Sequence, residues 1–382
     1  MPNSLIGSDQ DFALWAILMS AATLGVWAER TAWGARISGA VTTLLVTFIL
    51  SNLRIIPIGA PTYDAVWTYL VPFAIPLLLF QADLRRIVRE TGPTLLAFML
   101  GAIGTVLGTI AAYLVLPLGD GGWQLAAVFC ATYIGGSVNF AATAEAVGLR
   151  SGDLLSAGVA ADNLVMMLYF LLLFTLPSIG GLNRFYRQGA RTSFAPAPLG
   201  AAVSPASNAL LPMCVALTLS ALICAAGKGI ATFIGIPSVA ILVITILIVA
   251  LATLFASVLS RLSVAETLGK LLMQIFFAAI GASANIGVVL QVGPILFLMA
   301  ALILTLHLLF LLGAGWLFRL NLVEIAVASN ANTGGPTTAA AMATARRWDR
   351  LVTPAILCGT LGYAMATFIG VGLGNVLRSW GG

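Results

Sequence analysis

One short segment appears twice in this chain, and it limits the folds that the chain can adopt. Each copy is an apolar stretch interrupted by two glycines, Gly135-Gly136 and Gly334-Gly335, with amide and hydroxyl side chains nearby. Glycine disfavours a helix, and the Pro336 that follows the second pair lacks an N–H, so each segment predicts a broken helix. A helix broken within a membrane needs protein or a polar cavity around it. Two matching breaks in two halves indicate the binding site of a secondary transporter.

The composition is that of a membrane protein. Of 382 residues, 60% are hydrophobic and 8% are charged, and the mean hydropathy is +1.05. Apolar runs of about 20 residues, long enough to cross a lipid bilayer, recur along the whole chain. We therefore expect an all-α polytopic membrane protein with no soluble domain. The net charge of +5 does not indicate a nucleic-acid partner, because the basic residues lie in short loops between the apolar runs.

The apolar runs divide into two halves with the same order of segments. We expect five spanning helices and one broken segment in each half, at 12–29, 36–53, 65–82, 92–116, 123–148 (broken) and 152–176, then at 207–227, 234–258, 268–290, 294–318, 322–346 (broken) and 351–376. The breaks are offset by 199 residues (334 − 135). Gly92-Pro93 and Gly293-Pro294 are expected to open the segment before each break. The resulting division is a first membrane repeat, 1–176, a cytoplasmic linker, 177–206, and a second repeat, 207–382.

The distribution of arginine and lysine bears on whether the broken segments cross the membrane. If both cross and the N-terminus is outside, ten basic residues lie inside and eight outside, and the halves run parallel. If both are re-entrant hairpins, fourteen lie inside, and those left outside are Arg54, Arg150, Lys228 and Arg378. The second division follows the positive-inside rule and makes the halves antiparallel, as in an inverted repeat. We predict hairpins and a multi-pass protein of the plasma membrane with both termini outside. Crossing helices remain the alternative if the division missed a span.

Asp162 is the acidic residue expected near the middle of a span. It lies ten residues (162 − 152) into segment 152–176, and a carboxylate at that depth is costly unless it is paired, protonated or bound to a cation. Asn163 adds an amide oxygen beside it. These oxygens suit Na⁺, and the carboxylate alone suits a proton. Asp162 and Asn163 are the candidate cation-binding residues, and the alternative for Asp162 is a structural hydrogen bond to a neighbouring helix.

The residues around the two breaks are the candidate substrate-binding residues. A helix that begins after a break presents free N–H groups and the positive end of its dipole, which favours an anionic group. Neighbouring amides and hydroxyls would orient a small polar solute, or they would satisfy the backbone groups that the break releases. The candidates are Gly135, Gly136, Ser137, Asn139, Asn332, Gly334, Gly335, Thr337 and Thr338.

The motifs of soluble enzymes are missing from the sequence. It has no P-loop, no His-Glu-x-x-His, no Gly-x-Ser-x-Gly and no cluster of cysteine and histidine. We therefore expect no enzyme, no cofactor and no metal beyond a coupling Na⁺, with H⁺ as the alternative coupling ion. His307, the only histidine, lies in an apolar run, where a hydrogen-bonded packing role is commoner than a proton relay.

Four motifs resemble those of a known family. They are Thr132-Tyr-Ile-Gly-Gly-Ser-Val-Asn-Phe-Ala-Ala, Ala160-Ala-Asp-Asn-Leu-Val-Met, Asn332-Thr-Gly-Gly-Pro-Thr-Thr-Ala and Gly359-Thr-Leu-Gly-Tyr. Most of the chain resembles the DUF819 family of integral membrane proteins, which is grouped with the cation/proton antiporter and anion transporter superfamily. The resemblance implies an inverted repeat with an elevator-type mobile core and a dimerising scaffold, and it gives Asp162 the acidic role. It supplies no substrate.

These observations predict a cation-coupled secondary transporter that works by alternating access. The cargo would be a small organic solute with a carboxylate, held between the two hairpin tips. The hairpins and Asp162 would move, and spans 36–82 and 234–290 would contribute to the scaffold of a homodimer. One alternative is a sodium/proton antiporter without an organic substrate. Another is a membrane receptor or scaffold that does not move its ligand, although the duplicated breaks argue against it.

Overall fold

The computed structural model describes residues 4–31, 39–119, 121–183, 186, 210–236 and 239–380, and these residues form helices and no strand. Eight of the helices are long and apolar enough to cross a membrane, and two shorter apolar helices, Gly39–Asn52 and Ala240–Leu254, accompany them. The expected all-α polytopic class is therefore confirmed. Most of the expected linker, with Arg184, Arg187 and Arg191, lies outside the described residues, as does Arg36.

The helices follow one another through two halves of the chain. The first half contains α1 (Asp11–Glu29), α2 (Gly39–Asn52), α3 (Pro61–Ala65), α4 (Val71–Leu79), α5 (Leu84–Glu90), α6 (Pro93–Val115), α7 (Gly122–Gly135), α8 (Ser137–Ala146), α9 (Gly152–Thr175) and α10 (Gly180–Asn183). The second half contains α11 (Leu210–Phe233), α12 (Ala240–Leu254), α13 (Ala256–Leu259), α14 (Val264–Ala282), α15 (Ile286–Leu317), α16 (Leu322–Ala345) and α17 (Val352–Trp380). A π-helical turn, Val66–Leu70, joins α3 and α4 into one long helix.

The long helices pack into two bundles. Bundle A contains α1, α2, α3, α4, α11, α12 and α14, and bundle B contains α6 to α9 and α15 to α17. Small residues allow the close helix packing that membrane proteins use. In bundle A, Gly25 of α1 faces Thr43 of α2, and in bundle B, Gly104 of α6 faces His307 of α15. Contacts inside each bundle are far denser than those between the bundles.

Two pairs of helices, each with one member from either half of the chain, run antiparallel. On α6 and α15, Gly104 lies against His307, whereas Gly108 lies against Ile303. The residue numbers therefore rise along one helix as they fall along the other. Helices α4 and α14 are antiparallel as well. Trp67, in the π-helical turn before α4, packs on Phe276 of α14, and Leu78 of α4 packs on Gly269 of α14.

The chain reverses direction at both predicted breaks. Gln124, near the start of α7, donates a hydrogen bond of 2.9 Å to the carbonyl of Val147, just after α8. Asn330 lies 3.5 Å from the sulfur of Met342, twelve residues later in α16, whereas a straight helix would separate them by about 18 Å. Helices α7 and α8 therefore form hairpin 1. The two arms of α16, 322–334 and 336–345, form hairpin 2.

The two Gly-Pro pairs behave differently. Gly92 adopts a positive φ of 54° and Pro93 begins α6, so that part of the prediction is confirmed. The expectation that Gly293-Pro294 opens a helix is wrong, because α15 already begins at Ile286 and carries Pro294 inside it. The Asn285 side chain caps α15 by accepting from the Gly287 N–H at 2.9 Å. This cap starts the helix earlier, and membrane helices tolerate an internal proline.

Candidate functional site

The tips of the two hairpins touch each other. A Cβ added to Gly136 would lie 3.3 Å from the backbone nitrogen of Gly335 and 3.4 Å from the carbonyl carbon of Gly334. Gly136 and Gly335 are buried and adopt φ values of 75° and 80°, a region that glycine enters without strain. The structure thus brings the two Gly-Gly segments together, 199 residues apart in sequence (334 − 135).

Helix α17 lies against both tips, a role that the sequence analysis did not assign to it. A Cβ on Gly362 would lie 2.6 Å from the carbonyl oxygen of Ile134 in hairpin 1, and one on Gly359 would overlap the backbone nitrogen of Pro336 in hairpin 2. Because residues three apart share a helix face, the Gly-x-x-Gly spacing gives α17 a flat strip for both tips. That spacing was the available signal in the sequence.

Two predicted site residues hold the hairpins in shape. Asn139 donates to the carbonyl of Gly135 at 2.9 Å and accepts from Thr367 of α17 at 2.8 Å. Thr338 donates to the amide oxygen of Asn330 at 2.9 Å, which ties the two arms of hairpin 2 together. Their polar groups are therefore engaged within the protein, in agreement with the alternative interpretation that such side chains satisfy a broken helix.

Ser137 and Thr337 occupy the outer side of the tips. Both residues are exposed, and each lies in the first turn of the helical arm that follows a break. The N–H groups of a first helical turn have no partner within the helix. The hydroxyls and N–H groups together offer donors to a polar or anionic group beside the tips.

Asp162 carries a buried oxygen that the protein does not satisfy. The residue is 8% exposed, and its Oδ1 has no hydrogen-bond partner within the described part of the chain. The hydroxyl of Tyr133 on α7 lies close enough to interact with this carboxylate, but the geometry is not that of a hydrogen bond. Unsatisfied buried polar groups are destabilising, so this pair is suited to a proton, a cation or a water molecule.

Asn163 does not face the same group. Its amide donates to the carbonyl of Val159, one turn earlier in α9, at 2.7 Å. Successive helical residues point about 100° apart, and Asn163 is partly exposed where Asp162 is buried. Of the two predicted cation-binding residues, Asp162 is therefore the one that lies inside the protein.

Asn332 is the unsatisfied residue of hairpin 2. Its side chain is fully buried, and neither its Oδ1 nor its Nδ2 has a hydrogen-bond partner among the residues described. The oxygen lies against Gly101 of α6, where a Cβ would overlap it. A buried amide with both groups unpaired is rare in proteins. Asn332 thus offers an NH2 group with two donors and an acceptor oxygen in hairpin 2.

A chain of hydrogen bonds links five helices of bundle B: α6, α7, α9, α15 and α16. The Nδ1 of His307 lies 2.8 Å from the hydroxyl of Thr105, and its Nε2 lies 3.0 Å from the hydroxyl of Ser329. Ser329 lies 2.7 Å from the hydroxyl of Tyr169, and Thr105 lies 3.1 Å from the carbonyl of Tyr133. All of these side chains are buried.

The donors and acceptors along these hydrogen bonds match when the imidazole of His307 is neutral. If Tyr169 donates to Ser329 and Ser329 donates to Nε2, then the Nδ1–H of His307 donates to Thr105 and Thr105 donates to the Tyr133 carbonyl. Each group then donates once, and no donor is left over. His307 therefore joins hairpin 1 to hairpin 2 through α6 and α15, which fits the hydrogen-bonded packing role expected from the sequence.

Two comparisons relate the chain to known proteins. A family model described as "Protein of unknown function (DUF819)" matches residues 16–380. The "Uncharacterized membrane protein YjcL" of Bacillus subtilis (strain 168) is 35% identical over 402 residues, which cover 99% of this chain and 100% of the relative. The matched range contains both hairpins and every candidate site residue.

Proposed function

The chain belongs to the DUF819 family of membrane proteins, and we propose that it is a cation-coupled secondary transporter of a small organic solute with a carboxylate. The observation that supports this proposal is the meeting of two hairpin tips in a bundle that also buries unpartnered polar groups at Asp162 and Asn332. Broken helices that meet inside a membrane bundle form binding sites in secondary transporters.

We propose that the two halves form an inverted repeat and that bundle B moves against bundle A. The antiparallel course of α6 and α15, and of α4 and α14, supports the inversion. Sparse contacts between the bundles support the movement. In this arrangement the site in bundle B faces one side of the membrane and then the other, while bundle A stays fixed as the scaffold.

Each group has a separate role in this proposal. Asp162 binds the coupling ion, Na⁺ or H⁺, with the Tyr133 hydroxyl beside it. A Cβ added to Gly136 would already lie 3.3 Å from the backbone nitrogen of Gly335, so there is no room for a solute between those glycines. The solute carboxylate therefore binds beside the tips, at the helix N-termini that carry Ser137 and Thr337, where N–H groups and dipoles favour negative charge.

The test of the coupling ion is the thermal stability of the purified protein in Na⁺, K⁺ and choline. A ligand at 100 times its Kd stabilises the folded state by about 2.7 kcal/mol. We expect a Na⁺-specific rise in Tm that is lost in Asp162→Asn and kept in Asp64→Asn, a control at an exposed position. A pH-dependent rise that is lost only in Asp162→Asn would assign H⁺ instead. If neither ion has an effect through Asp162, the ion-coupling proposal is wrong.

A sodium/proton antiporter is the second candidate. The isolation of the Asp162 carboxylate, which forms no ion pair within the described residues, favours competition between Na⁺ and H⁺ at one acid. Proteoliposomes distinguish the two functions. Proton release driven by Na⁺ without any organic acid supports the antiporter, whereas Na⁺-dependent uptake of an organic acid supports the solute transporter.

We propose a homodimer formed through bundle A. Helices α1 and α11, which hold equivalent places in the two halves, are the least buried of the long helices. Their exposed apolar faces meet either lipid or a second copy. Mass measurement of the protein in detergent and in nanodiscs tests this proposal, because a monomer in both would contradict it.

A further inference from the structure

Asn52, at the end of α2, holds the segment that leads from bundle A into bundle B in the second half. Its Nδ2 donates to the carbonyl of Ala284 at 2.9 Å, and its Oδ1 accepts from the N–H of Ile286 at 2.9 Å. These two groups flank Asn285, the residue that caps α15. One side chain of bundle A thus binds the backbone on both sides of the residue that precedes α15.

Thr253, near the end of α12, makes the corresponding contacts in the first half. Its hydroxyl donates to the carbonyl of Ala82 at 3.4 Å and accepts from the N–H of Leu84 at 3.2 Å. These groups flank Asp83, which caps α5 by accepting from backbone N–H groups. Here the chain leaves α4 of bundle A and enters α5 and then α6 of bundle B.

The two contacts are equivalent by position. Thr253 follows Asn52 by 201 residues (253 − 52), and Asn285 follows Asp83 by 202 residues (285 − 83), close to the offset of the two breaks. Because α4 and α14 run antiparallel, the two segments lie at opposite ends of the molecule. In both halves, a polar side chain of bundle A therefore binds the backbone on both sides of a capping residue. The side chain is an amide in one half and a hydroxyl in the other.

We propose that Asn52 and Thr253 are positioning residues that fix the two crossing segments to bundle A, so that bundle B turns about these two points. This inference rests on the proposed function, since only a protein that moves its site needs such pivots. Each side chain satisfies the first N–H of a helix, which has no partner within that helix, and one C=O of the segment that precedes it. The crossing backbone is thereby held at both sides of its capping residue while the helices beyond it remain free to tilt.

The pivot at Asn285 is the stiffer one. The carboxylate of Asp153, at the start of α9, accepts a hydrogen bond from the N–H of Asn285. Gly152 also lies directly on the carbonyl of Ser283, where a Cβ would overlap it. This crossing segment is therefore held from both bundles. At the other pivot, the N–H of Asp83 donates to the carbonyl of Gln81 within its own segment.

Distances between spin labels on the two bundles test the inference. The labels are attached in a variant without native cysteines, one at Ile246 of α12 in bundle A and one at Met167 of α9 in bundle B. Both positions are exposed. We expect two distances between the labels, one for each position of bundle B. Na⁺ or pH should change the fraction of molecules at each distance. Because the pivots hold in both positions of bundle B, Thr253→Val and Asn52→Leu should broaden both distance distributions, since the crossing segments lose the hydrogen bonds that fix them to bundle A.

Matched variants separate the pivot from general damage. Thr245→Val is the same substitution on the same helix. Among the described residues, this hydroxyl bonds to the carbonyl of Ile241 one turn away at 2.9 Å and to no other group, and its loss should leave both distance distributions unchanged. Thr253→Ser keeps the hydroxyl and should behave as the original protein does. If Asn52→Leu does not fold, Asn52→Asp keeps the acceptor, loses the donor and should give a smaller change.

The outcomes distinguish the inference from the function on which it rests. A single distance under every condition in the unmodified protein overturns the movement itself. Two distances whose distributions are equally broad in Thr253→Val and Thr245→Val overturn the pivots and leave the transporter proposal standing. A change in Thr253→Ser as large as that in Thr253→Val also overturns them, because the hydrogen bonds are then not the cause.

Discussion

Gly136 and Gly335 lie against each other at the tips of the two hairpins, so that a methyl group on Gly136 would sit 3.3 Å from the backbone nitrogen of Gly335. Their φ and ψ angles, 75° with −179° and 80° with −170°, fall in a region that is essentially restricted to glycine. Gly136 is thus required both by its own backbone and by the opposite tip. Gly335 is required by its own backbone and by Tyr363 of α17, whose hydroxyl a Cβ would approach to 3.1 Å.

Substitution of Gly136 by alanine should therefore destabilise the protein through two effects. The backbone conformation alone costs about 1–3 kcal/mol for a residue with a side chain, and the contact with Gly335 adds to it. Gly148→Ala is the matched control, since Gly148 has a φ of 71° and no atom within 4 Å of its Cβ position. The Tm should fall further in Gly136→Ala than in Gly148→Ala. Equal losses would mean that the tips do not press on each other.

Two glycines of α17 should respond to alanine with opposite signs. A methyl group on Gly362 would lie 2.6 Å from the carbonyl of Ile134, whereas one on Gly372 would meet no atom within 4 Å. Gly372→Ala should be neutral or stabilising by up to about 1 kcal/mol through helix propensity. Gly362→Ala should cost about 1–3 kcal/mol by overpacking. Urea or thermal unfolding of both variants measures the difference, and a stabilised Gly362→Ala would exclude tight packing of α17 on hairpin 1.

Replacement of His307 by leucine should cost several times more than a surface substitution. It removes one hydrogen bond each from the hydroxyls of Thr105 and Ser329, and each lost hydrogen bond costs about 0.5–1.5 kcal/mol. In a double-mutant cycle with Ser329→Ala, the two losses should fall short of additivity by about 0.5–3 kcal/mol.

A second cycle serves as its control. Thr367 bonds to Asn139 at 2.8 Å and is not part of the His307 chain. The losses in His307→Leu and Thr367→Val should add within about 0.5 kcal/mol. Additive losses for His307 and Ser329 as well would show that the imidazole does not join the two hairpins.

The hairpins could be predicted from the sequence because the features that indicate them are local. Gly-Gly pairs, the amides around them and the positions of arginine along the chain can all be recognised without knowledge of distant contacts. Asp162 was likewise found from its depth in an apolar run. These features mark places where a helix must break or a charge must be compensated.

The parts of the fold and of the candidate site that were not predicted depend on contacts between distant parts of the chain. Asn52 and Thr253 are single polar residues at the ends of apolar helices, and nothing near them in sequence indicates which backbone groups they bind. Asn139 was predicted to bind substrate, but only the fold shows that Thr367 donates to it. Pro294 was predicted to begin a helix, because a cap nine residues away (294 − 285) is not visible as such in the sequence.

The hairpins determine which side of the membrane each loop occupies. Arg378, near the end of α17, stacks on Trp123 at the start of α7, with 5.2 Å between the guanidinium and the ring centroid. The open end of hairpin 1, next to Arg150, therefore lies near the end of α17. Arg350 lies just before α17 begins, and the 29 residues of that helix separate its two ends by about 44 Å. Arg150 and Arg350 thus lie at opposite ends of the molecule.

Single cysteines at Arg150 and Arg350, in a variant without the four native cysteines, should accordingly react from opposite sides of the membrane. A membrane-impermeant maleimide added to intact cells should label the 150 position and not the 350 position, because the positive-inside rule predicts that the arginine-rich loops are cytoplasmic. Both positions are exposed enough to react, and detergent should make both label equally, which excludes a buried thiol as the reason for protection. Labelling of both positions in intact cells would mean that the hairpins do not turn back within the membrane, and it would remove the inverted repeat on which alternating access depends.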